Sequence, residues 1–169
     1  MSSILYFSYG SNMSLPRLLQ RVPSAQLLSV AYLSAHKLQF HKKGHDGSAK
    51  CDIEFTNCHT DIVYGVVYTF LASEKPYLDL IEGLGKGYNE KSISAVGLSG
   101  EIFQSVTYYA TDIDPSLKPY HWYKEHVVRG AREHNLPIEY IRALQMIVSV
   151  ADPDPLTHHR ELSIYKDQQ

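Results

Sequence analysis

From Ile4 to Ala110 the chain is dominated by short runs of β-branched and aromatic residues set between polar or glycine-bearing turns. Beyond Lys118 apolar residues recur every three or four positions instead. Strand signals gathered ahead of helix signals predict an α+β fold, in which a curved sheet or small barrel carries helices on its outside. The pattern places strands over residues 4–8, 25–33, 37–41, 51–55 and 62–70, with 42–50 as a polar, glycine-bearing connection. Residues 89–96 and 101–110 read as a hairpin around Gly97 to Gly100, its second arm setting Ile102, Gln104, Val106 and Tyr108 on one side.

The helices have their own punctuation. Ser14, with Pro16 close behind, predicts a short helix, and Ser73 is placed to cap another in which Tyr77, Leu80, Ile81 and Leu84 share a face. Gly83, Gly85 and Gly87 end it. Residues 118–134 carry Tyr120, Tyr123, Val127 and Ala131 at helical intervals, then Asn135 and Pro137 stop that helix and start the next over 138–148. Asp152-Pro153-Asp154-Pro155 is unfit for a helix interior, because each proline lacks an amide donor and restrains the residue before it. We therefore expect one domain over 1–151 and a C-terminal arm over 152–169.

Composition narrows the class. A length of 169 residues suits one domain, and 44% hydrophobic with 20% charged residues is ordinary for a packed globule. The net charge of −2, with Lys and Arg scattered, gives neither nucleic acid nor anionic lipid a basic stripe to bind. No apolar run approaches a membrane span, and no signal peptide opens the chain, so a cytoplasmic protein is expected. The two cysteines, Cys51 and Cys58, match no zinc or redox spacing and are expected as free thiols. His36, His41, His45, Cys51, Cys58 and His59 crowd one stretch, yet their spacing fits no metal site, so scattered surface histidines are expected. Thirteen tyrosines are many for this length, and some are candidates to line a polar-tipped pocket.

Two local features carry chemistry. Tyr9-Gly10-Ser11-Asn12 ends the first strand in a tight turn just ahead of a capped helix. Backbone amides exposed in such a turn hold a carboxylate without any charged side chain; an ordinary strand-to-helix turn is the alternative. Glu82 closes an apolar helix face, where partial desolvation would raise its pKa and suit it to exchanging a proton near neutral pH; a solvated glutamate at a frayed end is the alternative. Gly10-Ser11 lacks the surrounding glycines and neighbouring histidine of a serine-hydrolase elbow.

Taken together, these segments make the chain resemble the γ-glutamylcyclotransferase family. The resemblance runs to about Val148 and is carried, in order, by Leu5-Tyr6-Phe7-Ser8-Tyr9-Gly10-Ser11-Asn12-Met13, Val63-Tyr64-Gly65-Val66-Val67-Tyr68, Leu78-Asp79-Leu80-Ile81-Glu82-Gly83 with Gly87-Tyr88, and Gly130-Ala131-Arg132-Glu133-His134-Asn135-Leu136-Pro137-Ile138-Glu139-Tyr140. It implies a mixed β-barrel with helices packed around it, assembly as a homodimer, and release of 5-oxoproline from γ-glutamyl dipeptides with no metal or cofactor. It also implies that Glu82 is the acid/base, that the strand end from Tyr6 through Phe7, Ser8, Tyr9, Gly10 and Ser11 to Asn12 binds the substrate's amino-acid part, and that Tyr123 lines the pocket. Asn after Ser in the turn departs from the glutathione-specific branch, while Asn89-Glu90 and the 42–50 connection bear on substrate range. A γ-glutamylamine cyclotransferase and a non-catalytic amino-acid-binding module are the other readings of the same pocket.

Overall fold

In a computed structural model, which describes residues 2–166, strands β1 (Ser3–Ser8), β5 (Ile62–Leu71), β2 (Gln26–Ser34), β6 (Tyr88–Gly97) and β7 (Ile102–Ala110) lie side by side in that order and close into a barrel. Neighbours are antiparallel except at the closure, where β7 meets β1 in parallel through Tyr6 and Val106. The barrel is thus mixed, with helices around it. β5 lies between β1 and β2, which accounts for its near-continuous burial at Val63, Val66, Val67, Tyr68 and Phe70. Gly65 sits where β5 crosses the end of β1: a Cβ there would lie 2.4 Å from the Ser8 carbonyl oxygen and 2.7 Å from the Phe7 ring.

Strands β3 (His36–Lys43) and β4 (Ala49–Phe55) pair outside the barrel as a two-stranded sheet. They reach into what the sequence reads as a connection, leaving 44–48 as the turn. A register shift between Phe40 and Lys42 brings both His41 and Lys42 into buried positions.

Helix α1 (Leu15–Leu19) begins behind Ser14 with Pro16 in its first turn, but the Ser14 hydroxyl makes no cap bond and accepts from Tyr165 at 2.9 Å. Helix α2 (Lys75–Glu82) has Glu74 rather than Ser73 at its cap position, one residue later than expected, and ends on Gly83 at φ 76°. Its apolar stripe is a correction to the sequence reading. Tyr77, Leu80, Ile81 and Leu84 are exposed, Leu80 by 72%, while the helix faces inward through Leu78 and through Asp79, which accepts from Tyr108 at 2.6 Å.

The hairpin stands as expected, but not its alternation: Ile102 is exposed, and Ser105 and Thr107 are buried beside Tyr108. The Thr107 hydroxyl donates to the Phe7 carbonyl at 2.8 Å, so a hydrogen bond across the barrel closure sets that face. Helices α3 (His121–Glu133) and α4 (Ile138–Met146) flank Asn135, whose φ of 52° makes the turn between them.

The segment after Asp152 holds helix α5 (Pro155–Ser163), capped by Asp154 accepting from the Leu156 N–H, with Pro155 at its first position. It docks through Glu161, 2.6 Å from Arg17, and through buried Tyr165. Residues 167–169 of the expected arm lie outside the described residues. No described helix is long and apolar enough to cross a membrane.

Candidate active site

Strand β1 delivers the chain to Ser8, and Tyr9 and Gly10 carry it into a single 3-10 turn over Ser11–Met13. That turn closes with Met13 N–H bonded to Gly10 O and Ser14 N–H to Ser11 O. Among the described residues, no hydrogen bond engages the N–H of Gly10, Ser11 or Asn12, so three consecutive donors are open to a ligand. Gly10 has φ −114°, which any residue can adopt. Space is what it provides: a Cβ would sit 3.1 Å from Cys51 Cβ and 3.5 Å from the Tyr123 hydroxyl.

Helix α3 is drawn tightly against the turn because it presents Gly130 there; a Cβ would meet Ser14 N at 2.5 Å and Met13 C at 2.6 Å. The approach holds Tyr123, two helical turns earlier, over the site, where its hydroxyl accepts from the Cys51 N–H at 3.0 Å.

These elements border a narrow pocket open to solvent on one side. Tyr6, Tyr9, Gly10, Ser11, Asn12, Glu82 and Tyr123 line it together with Cys51, Tyr88 and Tyr108. Phe7 and Ser8 do not. Alternation along β1 sends the Phe7 ring into the core, where it is fully buried, and the Ser8 hydroxyl is enclosed without a hydrogen-bond partner.

Glu82 emerges where Gly83 ends α2, with 16% of its side chain exposed. Its Oε1 accepts from Arg21 Nη1 at 2.7 Å and Asn12 Nδ2 at 2.9 Å. Arg21 Nη1 also donates to Asn12 Oδ1 at 2.6 Å, and Asn12 Nδ2 to the Tyr6 hydroxyl at 3.1 Å. Turn, helix α2 and Arg21 are thereby joined in one network that fixes the Asn12 amide and leaves Oε2 uncommitted among the described residues.

The other acidic groups in the cavity hold their protons. Burial raises the Tyr6, Tyr9, Tyr88, Tyr108 and Tyr123 phenols above their ordinary value and pushes the Cys51 thiol up to about 12. Tyrosines in that state are hydrogen-bonding walls, and the Cys51 thiol is no nucleophile. The cavity side chain chemically suited to accept a proton is Glu82.

Arg21, Cys51, Tyr88 and Tyr108 are absent from the sequence-level set. Arg21 carried one usable signal, a spacing of four from Arg17. The histidines between 36 and 59 are not uniformly on the surface as expected: His36 and His41 are buried, and His41 lies 2.8 Å from Asp52. Among the described residues no group of three or more His, Cys, Asp or Glu is placed to hold a metal ion.

Outside the cavity, and sharing Ser11, Glu82, Tyr88 and Tyr123 with it, is a vestibule whose remaining wall is Arg17, Arg21, Lys42, Gly44, His45, Lys50 and Ile81.

Comparison with known proteins finds the same arrangement of sequence and fold elsewhere. The chain is 33% identical over 153 residues to a gamma-glutamylcyclotransferase of Bos taurus, covering 86% of this chain and 79% of that protein. The relative of that name from Homo sapiens gives the same identity and coverage. A solved gamma-glutamyl cyclotransferase structure superposes with a TM-score of 0.83 at 30% identity, covering 90% of this chain and 92% of the other. The model of the AIG2-like family matches residues 62–144.

Proposed function

This chain belongs to the γ-glutamylcyclotransferase family of enzymes, and from that footing we propose that Glu82 and the Gly10 turn release 5-oxoproline from γ-glutamyl dipeptides. The observation that carries the reading is the placement of the Glu82 carboxylate and the open amides of Gly10, Ser11 and Asn12 on the wall of one cavity. The amides receive the substrate's α-carboxylate, as consecutive backbone donors without a partner suit an anion. Tyr6, Asn12 and Tyr123 border the glutamyl chain.

In this scheme Glu82 Oε2 takes a proton from the α-ammonium group. The freed amine attacks the γ-carbonyl carbon, forming the ring C–N bond. The protonated Glu82 then returns its proton to the departing nitrogen as the original amide C–N bond breaks, and the ring nitrogen's second proton passes to the released amine, giving 5-oxoproline and a free amino acid. Nucleophile and electrophile belong to one molecule, so the cavity contributes by holding the ring-closing conformer, an effect within a range of roughly 7 to 11 kcal/mol for ideal cases.

Glu82→Gln keeps the hydrogen-bonding shape and removes the proton carrier. Its turnover of γ-glutamyl-alanine, measured as 5-oxoproline release, is expected to fall at least ~100-fold with little change in KM. Turnover equal to the parent would remove Glu82 from this role.

The same reading makes the protein a cytoplasmic homodimer engaged in glutathione metabolism. Two unpaired thiols, Cys51 and Cys58, support a reducing compartment, and the exposed apolar face of Tyr77, Leu80, Ile81 and Leu84 supports self-association. Light scattering at a single monomeric mass would refute the dimer.

A further inference from the structure

The vestibule holds more positive charge than the reaction at Glu82 uses. Of its long basic side chains, Arg17 is matched by Glu161 at 2.6 Å, Arg21 by Glu82 at 2.7 Å and Lys50 by Asp46 at 2.7 Å. Lys42 differs. It is only 4% exposed, yet among the described residues no carboxylate lies within ion-pair distance of its ammonium group and no hydrogen bond involves it. Its Nζ rests 4.6 Å from the centre of the Tyr88 ring, on the wall shared with the catalytic cavity.

The backbone is shaped to put it there. The β3 register shift after Phe40 brings residue 42 inward, and Gly87 leaves the room: a Cβ on Gly87 would lie 3.0 Å from Lys42 Cε and 3.1 Å from Nζ. Glu82, Asp112 and Asp46 act on the ammonium group only from beyond ion-pair distance, so the cost of its burial beside one aromatic ring is only partly offset in the free protein. The cost is recovered when the missing anion arrives with a ligand.

The position of that anion follows from the two chambers. With the glutamyl part in the tyrosine-lined cavity and the scissile bond at Glu82, the departing group extends into the vestibule. We propose that Lys42 is a specificity-determining residue that pairs with the carboxylate of the departing amino acid. The enzyme would thereby prefer γ-glutamyl-α-amino acids to γ-glutamyl amines and amides of the same size. This assignment rests on the cyclisation reading above and adds to it which leaving groups are accepted. Burial lowers the Lys42 pKa, and a bound carboxylate would oppose that shift, so pairing would tighten as the complex forms.

The test compares γ-glutamyl-alanine with γ-glutamyl-alaninamide, which differ only in the leaving group's carboxylate, on the full-length parent and on Lys42→Met. The parent is expected to favour the acid in kcat/KM by roughly 10- to 100-fold, the scale of one charged hydrogen bond. In Lys42→Met the ratio falls to near one, with the loss residing in KM for the acid. Equal use of both substrates by the parent overturns the assignment without any variant, so a variant that fails to fold leaves it falsifiable. An unchanged ratio in Lys42→Met, or the same loss on both substrates, also overturns it. Parent turnover with no preference sinks Lys42 alone; no 5-oxoproline from any γ-glutamyl substrate sinks the cyclisation reading and this assignment with it.

Discussion

Arg21 shows how a residue of the vestibule wall can govern the one that moves the proton. One nitrogen, Nη1, reaches both Glu82 Oε1 and Asn12 Oδ1, so the carboxylate and the turn are held at a fixed separation. Arg21 is a positioning residue in this scheme. Arg21→Met is expected to lower kcat by about 10- to 100-fold, the worth of a lost charged hydrogen bond, while moving KM little. Because it acts through Glu82, the same substitution on a Glu82→Gln background should add almost nothing. Fully additive losses in that double-mutant cycle would contradict the role. Glu82 and the turn were legible in the sequence because each sits at a local punctuation mark, a glycine after a strand or a glycine after a helix. Arg21 and Lys42 were not, since each reaches the site only through pairings of distant segments, α1's end against α2 and a strand bulge against Gly87.

Among the elements, α3 depends most on a single position. Gly130 lets the helix backbone touch Met13 and Ser14, and no flexible side chain stands between them to yield. In Gly130→Ala the helix or the turn must shift, costing about 1–3 kcal/mol by overpacking and lowering Tm by roughly 2–4 °C for each kcal/mol. Activity should fall with stability, since the shift displaces Tyr123 from the Cys51 N–H and disturbs the Gly10 amides together. A melting temperature equal to the parent's would show that the contact is softer than it stands here. Strand positions and the α3–α4 break were readable because propensity, turn chemistry and burial agree there. The α2 stripe misled for a physical reason: Asp79 and Lys75 turn toward Tyr108 and Glu90, and those polar contacts decide which side faces the barrel. The prolines before α5 marked a boundary that holds, without announcing the helix behind it. Pro155 breaks a helix interior, but it equally fits a helix's first turn behind an Asp cap.

Across the whole molecule, the last helix is tied to the first through one buried imidazole. His126 is fully enclosed on α3; its Nε2 faces Arg17 Nη1 at 3.0 Å and its Nδ1 faces the Tyr165 hydroxyl at 2.6 Å. Arg17 can only donate and Tyr165 donates onward to Ser14, which assigns a neutral ring with the proton on Nδ1. Glu161, 3.3 Å from Nε2, takes its hydrogen bond from Arg17 rather than from the ring. Burial pushes the His126 pKa down to about 4. The unfolded chain therefore gains a proton as pH falls through about 6.5, and the folded chain resists it until about 4. The stability tied to this group is full above that window and is lost progressively across it, on the order of 3 kcal/mol in all. His36 and His134, also lowered by burial, add in the same direction. Thermal melts between pH 7 and pH 4 should show Tm declining on acidification. His126→Gln, less stable at pH 7 because the ring that bridges Arg17 and Tyr165 is gone, should show a shallower decline across that range. Parallel declines in parent and variant would mean that the proton is taken up elsewhere, and that the clasp between α1, α3 and α5 does not set the acid limit of the fold.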